Sequence, residues 1–407
     1  MFHFEEKNIL IRQKYMQPGV FAWMLILITT LLWMSFDFYL PALPEMRDSF
    51  GVSESALNLT IVSYQIFTAA GTLIGGPLSD KYGRLRLLRI GYLLFLSATL
   101  LCGFAESLSL LIFERSIAAL GCGFVLTVLN AMIKDSFHDD AFQKVMTLLQ
   151  SMACVGPVFS PILGAAILTV LPWHFVFIFI ALLGMISAIP AFLMSETLPE
   201  DHRLHGSTLQ AIGGLFTITR NLKFTTFLLI VAMIAASYYA FMSVCSYIYI
   251  EIFHTSYIVY GIFYGASCMV SIIAPFIYLH LTKKLQIRKI VHLCIFLNFT
   301  CGTLLLLQGD RSALGFYLIL CLFLLAEGMI RPLGIVILMN QYEHNVGAVS
   351  AIFNFVTSIF GVLGSITATL SWNNYIDGLG VVFILCAVLP LLLWVPLLRI
   401  KPVLKGL

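Results

Sequence analysis

The chain has 407 residues, of which 60% are hydrophobic and only 11% are charged. A soluble globular protein carries about 25% charged residues, so this composition excludes an ordinary water-soluble enzyme. The formal net charge of +3 is also too small to indicate a nucleic-acid-binding surface. We therefore expect a protein that is embedded in a lipid bilayer and has no nucleic-acid partner.

Apolar stretches long enough to cross a membrane occur twelve times along the chain, since a membrane-spanning helix needs about 20 mostly apolar residues. The first six cover residues 19–40, 57–78, 87–105, 108–131, 143–170 and 173–194. Six more follow a polar segment, at residues 223–250, 257–280, 289–307, 312–338, 347–370 and 376–398. This pattern predicts an all-α membrane protein made of two six-helix bundles, residues 1–194 and 223–407, joined by a cytoplasmic linker at residues 195–222.

The positions of the basic residues predict the orientation in the membrane. If both termini are cytoplasmic, 19 of the 23 Lys and Arg residues fall in cytoplasmic segments, and only Arg47 and Arg311 fall outside. Basic residues accumulate on the cytoplasmic side of membrane proteins. We therefore expect a multi-pass protein of the plasma (inner) membrane with both termini in the cytoplasm.

The connection between the second and third predicted helices, GPLSDKYGRLR at residues 76–86, concentrates charge in a short turn that contains glycine. An acid such as Asp80 can lie near a helix N-terminus or pair with a base such as Arg84. Gly83 permits backbone conformations that other residues rarely adopt. Together with Gly76, these residues predict a charged contact at the cytoplasmic surface.

The fifth predicted helix presents a face of small residues, because Gly156, Ser160 and Gly164 recur at four-residue steps. Such a face lets another helix approach closely. Pro157 and Pro161 are expected to bend the helix. Two interpretations follow: this is ordinary helix packing, or the close contact also seals the two halves of the protein on one side.

These motifs carry a resemblance to a known family. Residues 76–86 resemble the signature that major facilitator superfamily transporters carry between their second and third helices, with Leu85 where a base is usual. The segment DFYLPALP at residues 37–44 is similar to the opening motif of the drug:proton antiporter branch, the bicyclomycin- and chloramphenicol-resistance exporters. The fourth predicted helix carries Arg115 in the spacing of the family's second motif, although Ala118 stands where glutamine is common.

The fifth helix adds Gly156-Pro157 and Gly164, which are similar to the antiporter motif of that branch. The resemblance weakens in the second half, where residues 280–284 lack the aspartate and glycine of the first signature. It implies a twelve-helix transporter that exports small lipophilic or drug-like compounds, a function tied to multidrug efflux and antibiotic resistance.

Charged residues inside the predicted helices are informative, because each costs several kcal/mol unless it is paired or hydrated. Asp37 and Arg115 lie at compatible depths near the outer ends of the first and fourth helices. We interpret Asp37 as the proton-binding group and Arg115 as the residue that tunes it, because a guanidinium keeps its charge. The alternatives are a hydrated acid at a helix end for Asp37, and for Arg115 an ion pair with Glu114 or a bond to a buried carbonyl.

A second pair of charges lies in the tenth predicted helix. Glu327 and Arg331 are four residues apart and can form an ion pair on one helix face. Three roles remain open for Glu327: a structural partner, a second proton-coupling site, or a charge that selects a cationic or polar substrate.

Aromatic and polar residues in other predicted helices are candidates for a substrate cavity. Tyr238, Tyr239 and Phe241 could stack on flat or cationic molecules. The alternative for the tyrosines is an interfacial aromatic belt. Polar side chains within a span must face protein or water and not lipid, which makes further candidates of Asn58, Gln65 and Asn354.

We expect a proton-coupled secondary transporter that works by alternating access, as a monomer, on a small-molecule substrate. The sequence contains no HExxH, GxxxxGK or GxSxG motif and no acid-rich cluster, so we predict no metal, no cofactor and no enzymatic activity. One alternative is a transporter of one specific metabolite or siderophore, in export or uptake. Another is a membrane receptor or an intramembrane enzyme on the same scaffold.

Overall fold

The computed structural model describes residues 11, 13, 14, 16–203, 213, 216–341, 346–370 and 372–399. Both predicted cytoplasmic termini, at residues 1–10 and 400–407, lie outside the described residues, as does the linker segment 204–212. Within the described part of the chain, every long regular element is a helix.

Thirteen α-helices run through the described residues. Those of the first half are α1 Pro18–Asp37, α2 Leu43–Phe50, α3 Glu54–Tyr82, α4 Arg84–Cys102, α5 Leu108–Ser136, α6 Asp139–Leu168 and α7 His174–Leu193. Those of the second half are α8 Leu222–Tyr247, α9 Tyr257–Thr282, α10 Ile287–Gln308, α11 Ala313–Met339, α12 Val346–Ala368 and α13 Tyr375–Arg399. All but α2 correspond to the twelve predicted spans, so the all-α prediction is confirmed.

Eleven helices within the described residues are long and apolar enough to cross a membrane. Helix α2 is the one α-helix in the described residues that has no counterpart among the twelve predicted spans. Its eight residues, LPEMRDSF, are too few and too polar to cross a membrane. Leu43, Pro44 and Met46 are nevertheless buried, so α2 packs with one face against the protein.

Polar residues at the helix ends account for several boundaries. The side chains of Ser107, Ser256 and Ser312 each accept a hydrogen bond from the backbone N–H three residues further on, at the start of α5, α9 and α11. Asn221 caps α8 in the same way. Such caps satisfy N–H groups that have no partner within the helix. At its other end α8 continues into a π-helical turn, Ile248–Ile252.

The contacts divide the chain into two compact units. Unit 1 comprises residues 1–42 and 67–212, and unit 2 comprises residues 43–66 and 213–407. Helix α2 and the first part of α3 therefore belong to unit 2, whereas the rest of α3 belongs to unit 1. The predicted bundle boundaries at residues 194 and 223 stay a prediction.

The small-residue face of α6 packs against α1 in unit 1. A Cβ atom at Gly156 would lie 3.1 Å from the Thr30 carbonyl oxygen, and one at Gly164 would overlap the Phe38 carbonyl oxygen. The two helices approach so closely because glycine has no side chain to hold them apart. Gly164 therefore packs directly against the residue that follows Asp37.

Candidate functional site

Asp37 and Arg115 are both buried in unit 1, and each is 3% exposed. Asp37 is the last residue of α1, and the chain then turns through the short 3-10 helix Leu40–Ala42. The Arg115 guanidinium carbon lies 4.0 Å from the centre of the Tyr39 ring and 5.7 Å from the Phe177 ring. The fold thus brings Arg115 against the chain segment that begins with Asp37.

The turn between α3 and α4 forms a network of charged side chains around Arg84 in unit 1. Arg84 Nη1 lies 2.5 Å from Asp80 Oδ1 and donates to Ser79 Oγ at 2.6 Å, while Nε donates to Asp135 Oδ2 at 3.0 Å. Gly83, which joins the two helices, has a φ of +95°, a conformation that favours glycine. The network therefore links the α3–α4 turn to the end of α5.

Glu196, which follows α7, completes this network and was missed by the sequence analysis. Its carboxylate accepts hydrogen bonds from the backbone N–H groups of Arg84 at 3.0 Å and Leu85 at 3.2 Å. A negative charge is favourable there, because the first N–H groups of a helix point toward it. Thr197 donates its hydroxyl to Asp135 Oδ2 at 3.2 Å, which joins the same segment to α5. An acid immediately after the last apolar stretch of the first half was the available signal.

Glu327, Arg331, Tyr238 and Tyr239 come together in unit 2, and we call this group the Arg331 site. Arg331 Nη1 lies 3.6 Å from Glu327 Oε1; the Arg331 side chain is 40% exposed and that of Glu327 is 7% exposed. The Tyr239 hydroxyl is within hydrogen-bonding reach of Arg331, and Tyr238 lies near enough to affect the electrostatic potential at Arg331. The two tyrosine rings meet edge to face at 5.7 Å. Two separate sequence predictions, the ion pair and the aromatic residues, thus fall in one place.

Two other predicted cavity residues, Asn58 and Gln65, contact Ser365 of α12 within unit 2. Asn58 is buried and donates to the Ser365 carbonyl oxygen and to Thr369 Oγ1, each at 2.9 Å. Gln65 is buried, and its Nε2 lies 3.5 Å from Ser365 Oγ. These two amides therefore connect α3 to α12. Their role in a substrate cavity remains a prediction.

Phe241 and Asn354 are the remaining predicted cavity residues. Phe241 is buried, and its ring packs against Tyr264 at 5.9 Å and Phe323 at 5.6 Å. Asn354 is exposed on α12. Phe241 thus contributes to an aromatic core, and the cavity role of both residues stays a prediction.

A third charged cluster, which was not predicted from the sequence, surrounds Arg47 in unit 2. Arg47 Nη2 lies 2.7 Å from Asp48 Oδ1 and 2.9 Å from Glu251 Oε1, and Nη1 lies 2.6 Å from Glu54 Oε1. Its guanidinium also lies over the Tyr247 ring, at 5.9 Å. The π-helical turn after α8 carries Glu251, so this irregular turn presents the acid to α2.

The Major Facilitator Superfamily model matches residues 25–365 of this sequence. The chain belongs to the Major Facilitator Superfamily. It is therefore a multi-pass membrane transporter of a small molecule, and the expectation of a transporter in place of an enzyme agrees with this membership. The resemblance inferred from residues 37–44 and 76–86 is confirmed.

Curated relatives of this superfamily member include an uncharacterized transporter and a multidrug resistance protein. The chain is 25% identical over 351 residues to the uncharacterized MFS-type transporter YdgK of Bacillus subtilis (strain 168), covering 84% of this chain and 85% of that protein. It is 32% identical over 167 residues to the multidrug resistance protein MdtL of Klebsiella pneumoniae (strain 342). That match covers 41% of this chain and 43% of MdtL, so the chain matches less than half the length of this relative.

Solved transporter structures share the fold of this superfamily member. A peptide transporter POT in complex with sulfate has a TM-score of 0.80 at 14% identity, covering 98% of each chain. A bacterial homolog of the human lysosomal transporter Spinster, inward-facing and unoccupied, has a TM-score of 0.74 at 14% identity, covering 93% of this chain and 96% of that one. At these identities the similarity establishes the fold alone.

The Arg47 cluster is expected to stabilise unit 2 of the transporter. In Arg47→Gln the three carboxylates lose their shared cation. We expect the free energy of unfolding to fall by about 1 kcal/mol and the unfolding midpoint by about 2–4 °C; the effect is small because the groups are partly exposed. Thermal unfolding of the purified transporter measures this. Arg311→Gln removes an exposed base from another loop and is expected to leave the midpoint unchanged. Equal midpoints for the two variants would contradict the assignment.

Proposed function

We propose that this transporter exports small lipophilic or drug-like compounds across the plasma (inner) membrane in exchange for protons. The observation that carries the proposal is the burial of Asp37 at the end of α1, next to the segment that Arg115 contacts. A carboxyl group at such a position changes its proton occupancy when its surroundings change, because a buried charge is costly unless stabilised. The similarity to MdtL, a multidrug resistance protein, supports the substrate class.

In this mechanism Asp37 gains and loses the proton, and Arg115 adjusts the balance between the two states. Arg115 keeps its charge throughout, because a guanidinium does not deprotonate in proteins. Inward flow of one proton supplies about 2.3 kcal/mol per 100 mV of membrane potential, which supports about forty-fold accumulation of the substrate. The protein acts as a monomer and needs no cofactor in this scheme.

The decisive test compares Asp37→Asn with the wild type in everted membrane vesicles. We expect the proton-driven flux of the variant to be at least about tenfold lower than that of the wild type, because an amide cannot carry the proton. The probes are chloramphenicol, ethidium and fluorescein, which are neutral, cationic and anionic. Asp377→Asn is the matched control, since Asp377 is an exposed acid in the first turn of α13. Full proton-coupled flux in Asp37→Asn at equal protein level would refute the assignment.

A second candidate function is transport of one specific metabolite or siderophore. The buried Glu327 beside Arg331 favours it, because charged side chains in a site select a defined polar group more strongly than an apolar cavity does. Cells that lack the protein distinguish the two functions. General drug export predicts lower tolerance to several compounds, whereas specific transport predicts altered retention of a single metabolite with drug tolerance unchanged.

A further inference from the structure

The depth of Arg331 in its helix indicates that it faces water. Arg331 lies eight residues before Met339, the last residue of α11, which is about 12 Å of helix. Two fifths of its side-chain surface is nevertheless exposed. A guanidinium at this depth does not face hydrocarbon, because charged side chains within spans face the protein interior or a hydrated cavity. The exposed part of Arg331 therefore lines a space that a polar solute can enter.

The ion pair at this position is loose enough to be exchanged. Glu327 Oε1 lies 3.6 Å from Arg331 Nη1, whereas a charge-assisted hydrogen bond of this type measures about 2.7–2.9 Å. A guanidinium offers five N–H donors in a planar fork that matches a carboxylate. An arriving carboxylate can thus bind the same guanidinium on its exposed side.

The surroundings of Arg331 supply an aromatic surface and further donors. The ring of Tyr239 packs against Gly361 of α12, where a Cβ atom would lie 2.5 Å from the ring, so the neighbouring backbone holds this ring in place. Tyr238 meets Tyr239 edge to face, and the Tyr239 hydroxyl is within hydrogen-bonding reach of Arg331. A planar aromatic body beside a carboxylate complements this arrangement, because tyrosine rings stack and their hydroxyls donate.

We propose that Arg331, Tyr238 and Tyr239 bind the carboxylate of an amphiphilic aromatic substrate, and that Glu327 occupies Arg331 when the site is empty. This inference rests on the proposed function and names its substrate class: aromatic anions in preference to organic cations. Glu327 then acts as an internal competitor of the substrate. The two members of the pair consequently have opposite effects on binding, which a purely structural ion pair does not predict.

Binding of two dyes to the purified full-length protein in detergent tests the proposal. Fluorescein and rhodamine 123 share a tricyclic ring system but carry opposite charge, and fluorescence anisotropy reports their dissociation constants. We expect the wild type to prefer fluorescein. Arg331→Gln should weaken fluorescein binding at least about tenfold, since it removes the charge-assisted hydrogen bonds to the carboxylate. Rhodamine 123 should bind Arg331→Gln as tightly as the wild type or more tightly, because the variant removes a like charge and leaves the negative charge of Glu327. Glu327→Gln should bind fluorescein as tightly as the wild type or more tightly.

Three outcomes would overturn the proposal: a wild-type preference for rhodamine 123, fluorescein binding that survives Arg331→Gln, or a loss in Glu327→Gln as large as in Arg331→Gln. If Arg331→Gln does not fold, the double variant Glu327→Gln with Arg331→Gln replaces it, because it leaves no buried charge without a counter-charge. We expect that variant to fold and to lose fluorescein binding. The assay uses no proton gradient, so its failure is distinguishable from a failure of the Asp37 assignment.

Discussion

Arg84→Ala is expected to destabilise unit 1 by about 3 kcal/mol and to lower its unfolding midpoint by about 10 °C. The variant leaves Asp135, which is largely buried, without the guanidinium that donates to it at 3.0 Å. The expected loss lies at the lower end of the range for a broken buried ion pair, because Asp80 is half exposed and therefore screened by water. We expect transport to fall with the amount of folded protein.

Arg86→Ala provides the matched control for this prediction. Arg86 lies in the same turn region and carries the same charge, but its side chain is exposed. Thermal unfolding of the two purified variants separates the loss of the network from the loss of a local positive charge. A midpoint for Arg84→Ala within 1–2 °C of that for Arg86→Ala would refute the network's contribution.

Glu196 is a second point at which the same network can be tested. Glu196→Gln keeps the shape of the side chain and removes its negative charge from the N-terminus of α4. A negative charge at a helix N-terminus contributes about 0.3–1 kcal/mol to the free energy of unfolding. We therefore expect Glu196→Gln to destabilise unit 1 much less than Arg84→Ala does.

Gly164→Ala is expected to impair both folding and transport. The added Cβ atom would overlap the Phe38 carbonyl oxygen and lie 3.3 Å from Pro41 Cγ. Because the obstacle is backbone, α6 and the end of α1 must move apart, at a cost of about 1–3 kcal/mol or more. This displacement occurs beside Asp37, so the flux per folded molecule should fall as well as the stability.

The control for Gly164→Ala is Gly76→Ala, the same chemical change in another helix of unit 1. A Cβ atom at Gly76 would meet Thr127 Cγ2 at 3.8 Å, which is an ordinary van der Waals contact. We expect the control to retain wild-type stability and flux in the vesicle assay. Wild-type flux in Gly164→Ala would show that the contact between α6 and α1 tolerates an added methyl group and would contradict this account.

The helices and several candidate residues could be predicted because their signals are local in the sequence. Twelve apolar stretches match the observed helices, since the requirement for about 20 apolar residues per span acts on consecutive residues. Asp37, Arg115, Glu327 and Arg331 stood out for a similar reason, because a charge within an apolar stretch is visible without knowledge of its neighbours.

Only the tertiary structure revealed which distant residues meet. Glu196 binds the start of α4 more than a hundred positions earlier in the chain, and Arg47 meets Glu251 from the opposite half. Tyr239 joins Arg331 although the two lie on different helices. Hydropathy determines that a helix enters the membrane, but helix partners depend on the shapes of facing surfaces and on small residues such as Gly164. That information is distributed over pairs of helices, so no single stretch of sequence contains it.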